Sequence, residues 1–68
     1  MGEVWIEVSF DDQPMDNIIV DSIREAGELI VVIEDNGFAE YNEEIKDEWL
    51  EMGFRDNPDV TVKIIANY

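Results

Sequence analysis

The chain has no cysteine and no histidine in 68 residues, and it sets only four Lys+Arg against eighteen Asp+Glu. The lack of cysteine excludes disulfides, thiolate chemistry, zinc ribbons and iron–sulfur clusters, and leaves no clue to redox compartment. The lack of histidine removes the commonest general base, the Ser-His and Cys-His pairings, and the imidazole ligands of most catalytic zinc and iron sites. So few cations leave a formal net charge of -14 and a pI near 4.1. Arg24, Lys46, Arg55 and Lys63 are scattered, so no basic patch exists to hold DNA, RNA or an anionic membrane. Long apolar runs are also missing. The longest, Leu29-Ile30-Val31-Val32-Ile33, is far shorter than the roughly 20 residues that cross a bilayer. Met1-Gly2-Glu3 leads straight into an alternating segment with no basic n-region, so no export signal is visible and a cytoplasmic address is expected.

What remains is 46% hydrophobic and falls in periodic blocks, which argues for a folded chain in spite of its charge. One domain spanning residues 1–68 is expected. A chain of this size buries only about 60% of its unfolded surface, so the core is small and no large cleft fits. Uncompensated charge on a globule of about 11 Å radius of gyration makes stability rise with salt.

Glu3 to Phe10 alternates, with Val4, Ile6, Val8 and Phe10 on one face and Glu3, Trp5, Glu7 and Ser9 on the other, the pattern of a half-buried strand. Asp11-Asp12-Gln13-Pro14 stops it and is read as opening a first helix, with Met15, Ile19, Ile23 and Ala26 at helical spacing and Gly27 as its stop. The β-branched run Ile18-Ile19-Val20 leaves a strand from Ile19 to Arg24 as the alternative. Glu28 to Glu34 reads as a central strand, and Asp35-Asn36-Gly37 as a turn. Phe38-Ala39-Glu40-Tyr41 is either a returning strand or the start of a second helix, which runs from about residue 38 or 42 to Met52. That helix would be closed by Gly53 and capped by Asp35, Asn36 or Asn42. Asn57-Pro58-Asp59 turns into a last strand through Val60, Val62, Ile64 and Ala66. The expected fold class is α+β: a small two-layer α/β sandwich of order β-α-β-(β)-α-β with helices on one face of a three- or four-stranded sheet. If residues 38–41 are a strand, it becomes a ferredoxin-like plait.

The second helix concentrates the charge. Glu40, Glu43, Glu44, Asp47, Glu48 and Glu51 lie opposite its apolar stripe of Phe38, Tyr41, Ile45, Trp49 and Met52, and only Lys46 interrupts them. Each i,i+4 like-charge pair costs about 0.2–0.5 kcal/mol, and carboxylates in the C-terminal half oppose the macrodipole. The surface is therefore not chosen for helix stability. A net of five charges over residues 40 to 51, at about 1.5 Å per residue, gives roughly one per 3.4 Å, the phosphate spacing of one DNA strand. Asp11, Asp12 and Asp16 form a second acidic cluster. An acidic face is ordinarily just a solvated face, but a small domain needs a net charge of only about 2–8 for solubility.

Other chemistries fare worse. An EF-hand with Gly37 in sixth position puts Val32 first, where a ligand is required, so no metal site is expected. Paired carboxylates act as acid and base only when one is desolvated in a cleft, and neither a glycine-rich phosphate loop nor GxGxxG is present. No enzyme and no cofactor are expected. Trp5 falls on the strand face away from the core, where it is either an interface anchor or covered by Tyr68. Trp49 is expected in the core, with Phe54 making the contact that accompanies a helix-ending glycine.

The leading expectation is a protein-binding module that mimics nucleic acid and blocks the basic groove of a nuclease, restriction enzyme, CRISPR effector or repair enzyme. Its contact residues would be Glu40, Glu43, Glu44, Asp47, Glu48 and Glu51, then Asp11, Asp12, Asp16 and Trp5. In size and charge the chain resembles small phage-encoded inhibitors of restriction, CRISPR interference and uracil-DNA glycosylase. No motif aligns, so no residue is carried over. The address would then be the host cytoplasm, and the state a monomer or a homodimer. The alternative is an acidic immunity protein, antitoxin or regulatory subunit that grips a basic partner through an apolar anchor.

Overall fold

The computed structural model describes residues 2–68. It is an α+β fold: one open sheet of three antiparallel strands with two helices packed on one of its faces. Strand β1 (Val4–Phe10) lies in the centre, flanked by β2 (Gln13–Val20) and β3 (Val60–Asn67), in the order β2-β1-β3. Helix α1 (Ile23–Asn36), a 3-10 turn (Phe38–Glu40) and helix α2 (Glu43–Glu51) fill the connection between β2 and β3.

The alternation of β1 is realised as expected. Val4, Ile6, Val8 and Phe10 are all 1% exposed or less and carry the core, while Trp5 and Glu7 face outward. The next segment corrects the expectation of a helix over residues 15–26. Asp11 and Asp12 adopt φ of 50° and 66°, and positive φ at both central residues is the two-residue hairpin turn that matches strand twist. The chain returns at once as β2, and the β-branched run Ile18-Ile19-Val20 lies inside it, where branched side chains fit the pleat. The ladder slips once, Ser9 facing Pro14 but Val8 facing Asp16, so Met15 is an extra bulged residue. That slip carries Asp16 to the helix-facing side.

Residues 28–34 form no central strand; they lie within α1. Ser22 is the N-cap, its Oγ accepting from Glu25 N–H at 3.2 Å, and Glu25 Oε2 accepts from Asp21 N–H at 3.3 Å. Ala26 and Ile33 are buried and Leu29 and Ile30 half-buried, a stripe of helical period, whereas Val31 and Val32 are 58% and 53% exposed. Gly27, expected as a helix stop, lies inside α1, and Gly37 terminates the helix with φ 68° and its N–H on Ile33 C=O at 2.9 Å. The turn expected at Asp35-Asn36-Gly37 is therefore a helix end, and residues 38–41 are neither a strand nor part of an α-helix. The element order is β-β-α-α-β, and the three-strand sheet leaves no ferredoxin-like plait.

Phe10 is the hub of the acidic half of the molecule. Phe38, Tyr41 and Trp49 meet its ring edge-on at centroid distances of 5.2, 5.5 and 5.5 Å. Trp49, 1% exposed, donates Nε1–H to Arg55 C=O at 2.7 Å and stacks on Phe54 at 4.4 Å, beyond the left-handed Gly53 (φ 87°). Asn42 caps α2, its Oδ1 accepting from the N–H groups of Glu44 and Ile45 at 2.8 and 3.4 Å.

Each edge strand has one amide closed by a carboxylate. Val62 N–H on β3 donates to Glu34 Oε2 at 3.2 Å, and Asn17 N–H on β2 donates to Asp16 Oδ1 at 2.9 Å. With Pro14 and the bulge on β2, these features blunt pairing with a further strand. The Cα trace extends 40 × 19 × 18 Å, and this elongation brings the radius of gyration to 12.2 Å, above the globular expectation. Among the described residues no helix is long and apolar enough to cross a membrane.

Candidate functional site: an uncompensated carboxylate face

With Trp49 and Ile45 turned inward, the 3.6 period of α2 sends Glu43, Asp47 and Glu51 outward in one row and Glu44 and Glu48 in the next, and all five are exposed. Glu40, expected on the same helix face, is also exposed but belongs to the preceding 3-10 turn. From Glu43 to Glu51 the axis rises about 12 Å, so five carboxylates less Lys46 give about one net charge per 3 Å, close to single-strand phosphate spacing.

The four cations are occupied elsewhere. Arg24 pairs with Glu28 at 3.5 Å, Lys63 with Glu7 at 3.6 Å, and Arg55 with Asp11 at 2.6 Å. Lys46 turns its ammonium back to Ala39 C=O at 3.1 Å and sits over the Phe38 ring at 5.9 Å. Among the described residues, no salt bridge reaches Glu40 or any carboxylate of α2. The helix has no basic residue in its last turn to meet its dipole. What holds this repelling face in place is the Asn42 cap at one end and the Trp49 clamp at the other.

The second acidic cluster separates into different roles. Asp11 takes the Arg55 guanidinium with both oxygens and accepts from Asp59 N–H at 2.9 Å. The hydrogen bond from Arg55, then that from Asp59, hold its carboxyl below the usual 3.8, and the same pair raises Arg55. Asp16 accepts the Tyr41 hydroxyl at 2.7 Å, and burial of the phenol, then this bond and the Asp16 charge, push Tyr41 well above its usual 10.0. Of the three, Asp12 is exposed and, among the described residues, makes no side-chain hydrogen bond or ion pair. Sequence reasoning missed the structural employment of Asp11 and Asp16. The Asp11-Asp12 hairpin turn was the available signal for the first.

The hairpin turn, the hub around Phe10 and the loop tied to Asp11 lie together, which brings Asp12, Asp56 and Asp59 near α2, while Glu3, Glu7, Asp21, Glu25 and Glu28 carry negative charge elsewhere. Trp5 lies on the helix-free sheet face, as its alternation indicated. Tyr68 meets its ring edge-on at 6.0 Å, leaving it half-buried.

A shallow hollow of about 400 Å³ at the β2 bulge is lined by Glu7, Pro14, Met15, Asp16 and Asn17. Its two carboxylates already meet Lys63 and Tyr41, so it gathers no free acid–base pair. Among the described residues no group of three acids is placed to hold a metal ion. Comparison with known proteins finds no matching family model, no similar curated protein and no similar solved structure.

Proposed function

We propose that this protein is a binding module that mimics nucleic acid, presenting the α2 face to the basic groove of a nucleic-acid-binding protein and excluding its substrate. The observation that carries the reading is the disposition of the cations: all four are engaged away from Glu43, Glu44, Asp47, Glu48 and Glu51, so the densest carboxylate array is left bare. Carboxylates at near-phosphate spacing on a clamped helix offer arginine and lysine the charge-assisted hydrogen bonds that a strand would offer. The α2 array, about 12 Å of axis, corresponds to roughly four phosphates of one strand. A field of one sign also speeds encounter with a cationic groove. A nuclease, restriction, CRISPR or repair enzyme met in a host cytoplasm fits this role, with the module encoded by a phage or mobile element.

The test is capture of partners by the immobilised protein at low and high salt, with and without competing duplex DNA, beside a Glu43→Lys/Asp47→Lys/Glu51→Lys variant. Mimicry requires capture that falls steeply with salt, is displaced by DNA and is abolished by charge reversal. Capture that survives reversal but is lost in Trp5→Ala points instead to an immunity-type or regulatory subunit using an apolar anchor.

A further inference from the structure

We infer that the helix-free face of the sheet is a second binding surface, centred on Trp5, that accepts an arginine-bearing segment of a cationic protein. Both helices pack on the other face, so no helix covers this one, where Trp5 and Glu7 are half-buried and Ser9 is buried. Across the strands Trp5 is flanked directly by Ile19 on β2 and Ala66 on β3. Ile19 is 52% exposed and Tyr68, edge-on to the indole, 72%. An apolar patch with a polar rim is the signature of an interaction site, and a tryptophan at its centre is the commonest kind of anchor.

The rim selects the occupant. Glu3 and Glu7 bracket Trp5 along β1, each about 7 Å away at strand spacing. Neither makes a short charge-assisted bond. Glu3 Oε1 accepts the indole N–H at 3.4 Å, and Glu7 meets Lys63 at 3.6 Å although its side chain is only 19% exposed; good charge-assisted bonds are about 2.7–2.9 Å. A neutral apolar partner would desolvate both carboxylates without pairing them. A second copy would bring another -14 charge against the first, and the blunted sheet edges offer it no alternative seat. A guanidinium meets both demands, stacking on the indole while its fork of donors reaches one of the flanking carboxylates. Lysine supplies the charge without the plane. The surface is separate from α2 and stands or falls independently of the mimicry reading.

The experiment is a titration of the isotope-labelled full chain with nona-arginine, and separately nona-lysine, followed by NMR at low salt. It uses the Glu43→Gln/Asp47→Asn/Glu51→Gln variant, so that α2 does not compete for the peptide. The Trp5 indole N–H and the amides of Ile19, Ala66 and Tyr68 shift with nona-arginine and less with nona-lysine. Trp5→Leu, which keeps apolar bulk but removes the π face, weakens nona-arginine binding about two- to fivefold. An indole signal that does not move, equal response to both peptides, or unchanged affinity in Trp5→Leu overturns the inference. A concentration-dependent dimer in sedimentation that disappears in Trp5→Leu also overturns it, since the occupant is then a second copy.

Discussion

The Asp11 carboxylate holds the Arg55 guanidinium by two hydrogen bonds, 2.6 Å to Nη2 and 2.7 Å to Nε, joining the β1–β2 turn to the loop after α2. The pairing closes 44 residues of chain. Arg55 pairs with Asp11 and Asp59 and, among the described residues, with no α2 carboxylate.

Asp11→Asn tests this clasp, because asparagine tolerates the left-handed φ of 50° while losing the charge. The folded carboxyl titrates below its usual 3.8, so its contribution is complete above that value and disappears as pH falls through the lower, folded one. Wild type therefore has the higher thermal midpoint at neutral pH. The gap holds down to the usual carboxylate range and closes only on stronger acidification, as thermal melts across acid pH will record.

Two glycines mark the interior and the end of α1. Gly27 lies inside the helix with open space where a Cβ would sit, so Gly27→Ala stabilises by about 0.5–1 kcal/mol. Gly37 pairs φ 68° with ψ -162°, a region essentially restricted to glycine, so Gly37→Ala destabilises by about 1–3 kcal/mol. Urea unfolding of the two variants shows shifts of opposite sign.

Glu43→Gln/Asp47→Asn/Glu51→Gln removes two i,i+4 repulsions from α2 and raises stability by about 0.4–1 kcal/mol at low salt. The gain shrinks as salt screens the wild type. If the face serves a partner, the same variant loses partner affinity while it gains stability, measured by denaturant melts beside the salt-dependent capture.

Phe10→Ala deletes the ring that Phe38, Tyr41 and Trp49 surround. Such a truncation costs about 3–5 kcal/mol, as much as a core of this size ordinarily supplies. The variant loses its cooperative thermal transition in circular dichroism.

The parts of the fold legible in the sequence were those where period and burial agree. β1 alternates through its core positions, Trp49 falls in the stripe of α2, and Gly53 with Phe54 ends it, whereas β3 keeps its alternation only at Val60 and Val62: Ile64 is 41% exposed and a register shift at Ile65 turns Ala66 to the Trp5 face. α1 broke that agreement. Five consecutive apolar residues suggested a covered strand, yet Val31 and Val32 face solvent on a helix, and no periodicity argument anticipates exposed valines. Local chemistry had marked the right boundary, since Ser22 and Glu25 have the spacing of a capping box. The hairpin was concealed because Asn36-Gly37, the stronger turn signal, ends a helix, whereas the weaker Asp11-Asp12 makes the hairpin. For the candidate site, the α2 carboxylates follow from helical spacing alone. The Asp11-Asp12 turn could have marked Asp11 as structural, but its partner Arg55, and the Tyr41 that engages Asp16, reach them only through the tertiary fold.

The body measures 40 Å along one axis and 19 and 18 Å along the other two. It therefore tumbles anisotropically in solution, spinning about its long axis faster than it turns end over end.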